Sequence, residues 1–244
     1  MEIRESDYKV TNERNSGLTA TRSLFSSVFM WMGISLAITA GISYLFGTDI
    51  SKMSLIMTIT ERGASLTPLG WIATLAPFGF VLLMGFGFQR LSSSALAMLL
   101  VVFSILMGMS LSTIFLAYTA ASIFQTFLIT AGMFGFMAVL GYTTNIDLTK
   151  FGSIMMMAFF GLFIAMLVNM FMHNEIMDFV ISIIGVLVFT GLTAYDVQKI
   201  KNMGEQNMDT EISKKVSIMA ALTLYLDFIN LFLFLLRLFG GRRD

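Results

Sequence analysis

The chain has 244 residues, 57% hydrophobic and only 12% charged, with a mean hydropathy of +0.83 and zero formal net charge. That composition lies outside soluble globular domains and matches a protein whose mass is mostly embedded in a bilayer. With no cysteine and a single histidine, His173, disulfides, thiol catalysis, a His-rich zinc site and a Ser/His or Cys/His nucleophile are excluded.

Residues 1–23 carry Arg4, Lys9, Arg14 and Arg22 against Glu2, Glu5, Asp7 and Glu13 without an apolar run, so they read as a solvated, mobile, charged tail. A spanning helix needs about 20 mostly apolar residues, because its backbone must satisfy its own hydrogen bonds away from water. Seven stretches meet this, at roughly 24–46, 69–88, 94–117, 121–142, 151–172, 178–200 and 214–238. The first exceeds the core of a cleavable signal and is taken as a retained span. The expected organisation is the tail, one all-α membrane domain over 24–240 and a short C-terminal tail, 241–244.

Basic residues orient the spans. With the N-terminus inside, the cytoplasmic segments hold the four of the tail, Arg90, Lys150, and Lys199, Lys201, Lys214 and Lys215. The other side holds Lys52, Arg62, Arg237, Arg242 and Arg243, so the asymmetry favours a cytoplasmic N-terminus and an external C-terminus. These residues are scattered over loops and form no stripe with interleaved aromatics, which gives nucleic-acid binding no support.

Most of what the spans contain has a packing explanation. Glycines such as Gly85, Gly87, Gly108, Gly132, Gly135, Gly185 and Gly191 are read as close helix–helix contacts in preference to hinges or a lined pore. Met155, Met156 and Met157 hint at a thioether path for Cu(I), but three consecutive residues point around a helix and no Cys or second His supports a site. Gln125 and Asn169 are expected to make interhelical hydrogen bonds.

Ionisable groups at membrane depth are costly, about 2.5–3.5 kcal/mol on insertion scales, and mark a polar pathway or switch by default. Asp196, in GLTAYDVQKIK, lies within a turn of the end of span six, where Lys199 can pair with it along the helix, so an interfacial role and a functional one stand equal. Asp227, in ALTLYLDFINLFLFLLRLFG, is bracketed by Lys215 and Arg237 and lies well inside span seven. Asn230 is close by, and Arg90 ends span two. The two aspartates are 31 residues apart at apparently unequal depth. Equal depth requires an asymmetric connection, with residues 201–216 beginning as a loop and continuing as an interfacial helical turn.

GLTAYDVQKIKNMGEQ (191–206), ALTLYLDFINLFLFLLRLFG (221–240) and YTAASIFQTFLITAGMFGFMAVLGYTTNIDL (118–148) closely resemble the bacterial branch of the Bax inhibitor-1 family, the transmembrane BAX inhibitor motif family, over about residues 17–241. The resemblance implies seven transmembrane helices with the last one central and the other six wrapped around it in two layers. It implies further that Asp196 and Asp227 form a hydrogen-bonded pair on the cytoplasmic side, a pH sensor gating a calcium leak in the inner membrane. Arg90, in FGFQRLSSS, matches an arginine that latches the pair.

Physical chemistry makes such a pair plausible. Two carboxylates in contact in a low-dielectric site share a proton and titrate as a unit. Losing that proton leaves oxygen ligands suited to transient Ca²⁺ binding, with water or carbonyls completing its six to eight oxygens. No permanent cofactor is expected. Two other functions compete with the leak channel. One is a regulatory protein that uses its charged tail to restrain an FtsH-type, membrane-bound ATP-dependent protease, as some relatives do. The other is an aspartyl intramembrane protease: Tyr195-Asp196 supplies its YD signature, but Asp227 lacks the glycines of GxGD that let a substrate backbone approach, so no enzymatic activity is expected.

Overall fold

A computed structural model describes residues 2–60, 63–205 and 209–241. Seven of its helices are long and apolar enough to cross a membrane. α1 (Glu2–Gly47) leads to a short helix, α2 (Ile50–Ile56), and a hairpin of β1 (Met57–Thr60) and β2 (Gly63–Leu66). There follow α3 (Pro68–Gly87), α4 (Ser93–Leu111) with a one-turn continuation α5 (Ile114–Ala117), α6 (Ala120–Thr143), α7 (Thr149–Met172), α8 (Glu175–Gly204) and α9 (Thr210–Phe239). The fold is the helical membrane architecture expected, and the spans agree with the hydropathy reading to within a few residues at most ends.

Two segments carry secondary structure beyond the seven spans. The charged N-terminal segment is helical from Glu2 and continuous with the first span. It contains neither proline nor glycine before Gly17, so nothing in it breaks a helix already nucleated by the span. The connection between the first two spans holds α2 and the antiparallel hairpin, with Met57 opposite Leu66 and Thr60 opposite Gly63. Four-residue strands are too short for a periodic signal, and the hairpin is held by its neighbours: Thr67 donates its hydroxyl to Ile56 O at 3.1 Å and accepts from Gly70 N at 3.1 Å as the cap of α3.

α9 is the centre of the molecule. Of its most apolar window 72% is buried, against 11% for α7. It packs directly against α1, α4, α6 and α8, while α3 leans on α4 and α7 on α8 as an outer layer. Such a helix must be apolar on every face, and Ile218, Leu222, Leu224, Ile229, Leu231 and Leu235 are all buried. Outer helices instead keep large apolar side chains exposed, among them Phe78, Leu82, Phe160, Ile164 and Phe171, as a lipid-facing surface requires.

The glycines divide. Gly108 sits against Thr39 O and Ile42, Gly185 against the Phe234 ring and Gly191 against Phe151 and Met155, so these are packing glycines as expected. Gly85, Gly132 and Gly135 have open space where a side chain would be, and the packing explanation does not hold for them. Met155 packs on the core while Met156 and Met157 are exposed, so the three methionines converge on nothing. The polar pair Gln125 and Asn169 also departs from expectation. Gln125 is exposed, a turn and a half into α6, and Asn169 Oδ1 accepts from Asn174 N at 3.1 Å, closing the α7–α8 turn. Both lie near helix ends, where backbone groups and the interface satisfy a polar side chain without a second helix.

Candidate functional site: a buried aspartate pair

Asp196 and Asp227 are both buried, at 7% and 5% exposure. α8 runs eight residues beyond Asp196 to Gly204, about 12 Å, whereas Asp227 lies 17 residues into α9, about 26 Å. The two helices therefore overhang the aspartates unequally on this face, and the asymmetry lies in the helices themselves. Of residues 201–216, expected to begin as a loop, the first four are still α8, and Thr210 onward is helical and continuous with the last span. With that offset the two carboxyl groups come close enough to interact with each other. Asp227 Oδ2 is buried with no hydrogen-bond partner among the described residues.

One side of the pair is open to the N-terminal face, the face carrying the α3–α4, α6–α7 and α8–α9 connections. A cavity of about 330 Å³ lies between α3, α8 and α9 and is walled by Phe88, Ile200, Met203, Val216 and Met219, with Asp196, Lys199 and Thr223 as its polar groups. Asp196 forms part of the lining, and Asp227 stands behind it. Lys199 is exposed at this cavity and attracts the Asp196 carboxyl electrostatically.

Arg90 is not brought to the pair. It is exposed and lines a separate surface groove with Gly79, Leu82, Leu83 and Phe86. Among the described residues the ion pairs are Lys52–Asp49 and Arg237–Asp178, so Arg90 pairs with neither aspartate. α3 ends at Gly87, and Phe88, two residues before Arg90, takes the cavity wall. Among the described residues no three His, Cys, Asp or Glu side chains group together.

The sequence reading passed over three features around the pair. Gln198, two residues after Asp196, grips the α6–α7 connection with both ends of its amide: Nε2 donates to Ile146 O and Oε1 accepts from Leu148 N, both at 2.8 Å. Lys201 donates to Tyr142 O at 3.0 Å and lies over the Tyr142 ring. Within the same connection Asp147 accepts from Thr149 Oγ1 at 2.6 Å and Thr149 N at 2.9 Å, which holds its carboxyl below the usual carboxylate range.

The second feature is a close approach. Gly141 of α6 lies against the Ala194 backbone and Gly152 of α7 against the Tyr195 ring, both at the turn that carries Asp196. The third is Tyr225, fully buried on α9, whose hydroxyl meets Thr39 Oγ1 at 2.8 Å while Thr39 donates to Ser104 O at 2.9 Å, tying α9 to α1 and α4. A tyrosine in mid-span needs a partner for its hydroxyl, and that was the available signal. Asn230 is satisfied locally, by donating to Leu226 O at 2.8 Å.

Replacing Gln198 by Ala is expected to leave Ile146 O and Leu148 N without their partner. A loss of about 1–3 kcal/mol in stability and faster amide exchange at Leu148 are the expected outcomes, read by denaturation in detergent and by hydrogen exchange. Unchanged exchange at Leu148 would show the grip to be incidental.

Residues 21–244 match the family described as "Inhibitor of apoptosis-promoting Bax1". The chain is 45% identical over 224 residues to "Inner membrane protein YbhL" of Escherichia coli K12, covering 91% of this chain and 93% of that one. It is 43% identical over 236 residues to a protein of Borreliella burgdorferi, with 96% and 98% covered, and 42% identical over 223 residues to the protein RP147 of Rickettsia prowazekii, with 91% of each covered. A seven-span helical fold with its last helix central, and a sequence match running through every span, place the chain in the Bax inhibitor-1 family of membrane proteins.

Proposed function

We propose that this protein is a pH-sensitive calcium leak channel of the inner membrane, gated by the Asp196–Asp227 pair. The observation that carries the reading is that two buried carboxyl groups come close enough to interact at the end of a cavity open to the N-terminal face. The inner-membrane placement follows the named Escherichia coli relative, and a cytoplasmic N-terminus follows the basic residues.

A hydrogen bond between two carboxyl groups needs one bound proton. In the protonated pair α8 and α9 are held together behind the cavity and the path is closed. Loss of the proton leaves two negative charges in contact; at about 4 Å and an effective dielectric of about 20 their repulsion is worth about 4 kcal/mol, enough to bias a packed helix pair toward separation. The separated carboxylates then present hard oxygens to a divalent cation. Two carboxylates fall short of the six to eight oxygens Ca²⁺ takes, so Asp196 and Asp227 act as transient ligands for a passing ion that retains water. Lys199 is the cation lining this cavity.

The test is Ca²⁺ flux through the purified protein in proteoliposomes. Flux above protein-free vesicles that rises between about pH 5 and about pH 8 is the expected result. No flux above that control at any pH in this interval would sink the proposal.

A further inference from the structure

The end of the molecule opposite the aspartates holds a cavity of about 380 Å³ between α1, α4–α5, α6 and α9. Its walls are apolar side chains, among them Leu36, Ile114, Ile123, Phe127 and Phe232, with Thr39, Ser43 and Tyr44 as the polar exceptions. Thr39 is already committed to Tyr225 and Ser104. Ser43 is not: it is 6% exposed, it lines the cavity, and its hydroxyl has no partner among the described residues. A buried hydroxyl without a partner costs about 1–3 kcal/mol, so its position beside an apolar cavity points to a ligand that is mostly hydrocarbon and carries one acceptor.

Depth selects the ligand. Ser43 is four residues before the end of α1 at Gly47, about 6 Å along the helix. That is the zone between hydrocarbon core and headgroups, where the ester carbonyls of a phospholipid lie. From Ser43 the cavity continues past Thr39 to Leu36, about 10 Å deeper. The cavity volume falls within the range of sites for small apolar ligands, and all four walls belong to membrane-spanning helices.

We infer that this cavity is a phospholipid site, in which an acyl chain from the bilayer leaflet on the C-terminal side lies along Leu36 and Phe232 and its ester carbonyl accepts a hydrogen bond from Ser43. The site is independent of the aspartate pair and stands whether or not the protein conducts calcium.

The experiment reconstitutes the full chain in phosphatidylethanolamine–phosphatidylglycerol vesicles containing a tracer phospholipid with a photoactivatable acyl chain, then maps the label by peptide mass spectrometry. Label on residues 36–44 and 111–127 at least about fivefold denser than on the exposed Phe160 and Phe171 of α7 is the expected result. Ala40→Phe, at an exposed position on the cavity wall, is expected to bring that label down to the α7 level. Ser43→Ala, which removes only the hydroxyl, is expected to lower it about two- to fivefold. Label spread evenly over all lipid-facing helices overturns the inference, as does unlabelled hexadecane competing as well as unlabelled phospholipid, or label indifferent to both substitutions.

Discussion

Asp227→Asn is expected to abolish the pH dependence of calcium flux and to hold it at the low level of the wild type at about pH 5. The asparagine amide keeps the shape of the carboxyl group and donates a permanent hydrogen bond to the Asp196 carboxylate, so the contact between α8 and α9 no longer depends on a titrating proton. The two buried side chains would then carry at most one charge at any pH, and the repulsion of about 4 kcal/mol that opens the path would not arise. At about pH 8 the variant should conduct on the order of tenfold or more below the wild type. Asp196→Asn is expected to give the same flat profile, because gating belongs to the pair and not to either member. Measured in proteoliposomes across the same pH interval, a variant whose flux still rises with pH at the wild-type rate would remove the pair from the gate. Equal melting temperatures for wild type and variant keep a loss of flux from being read as a loss of fold.

A large effect on stability is also expected from Gly141→Ala. A Cβ there would be forced into the carbonyl of Ala194, which is helix backbone and has no rotamer with which to yield. α6 must therefore move away from α8, and overpacking of this kind costs about 1–3 kcal/mol. Asp196 lies two residues from the point of collision, so separation of α6 and α8 also shifts the turn that carries the candidate site. Gly135→Ala provides the control: it sits on the same helix, has open space at its Cβ, and exchanges glycine for a better helix former. Thermal unfolding in detergent should show Gly141→Ala melting well below the wild type and Gly135→Ala at or above it. Equal melting temperatures for the two variants would mean that the α6–α8 crossing is looser than the structure draws it.

The exposed surface explains why so much of the fold was legible. Each outer helix faces lipid on one side and protein on the other, so its apolar run is continuous and its ends stand out against Ser, Thr, Asn and charged residues. Thr67, Ser92, Thr119 and Asn174 are such ends, each accepting a backbone N–H in the first turn of the helix it caps. The same continuity hides everything finer. Lipid and core are equally apolar, so hydropathy does not separate buried α9 from exposed α7, and it does not say which glycines touch a neighbour. Gly141 and Gly135 are six residues apart in one helix with similar flanks, yet only Gly141 faces α8.

Residue chemistry likewise marked the candidate site without assembling it. A carboxylate in mid-span singled out Asp227, but the YDVQK segment drew attention to Lys199 as the partner of Asp196 and passed over Gln198, whose amide ties α8 to the α6–α7 connection. A free arginine at the end of span two was a reasonable third member by family resemblance. In the structure Arg90 faces the surface, and Lys199 is the cation at the aspartate cavity.

By itself the sequence determined that the chain crosses a membrane seven times, that it carries two aspartates in apolar surroundings, and that no thiol or histidine cluster is available for other chemistry. These follow from composition and from the length a bilayer imposes on any spanning helix. Only the tertiary structure decided that the two aspartates are both buried and near one cavity. Their placement depends on how α8 packs on its neighbours, as at Gly141 and Gly152, and spacing along one chain carries no record of such packing.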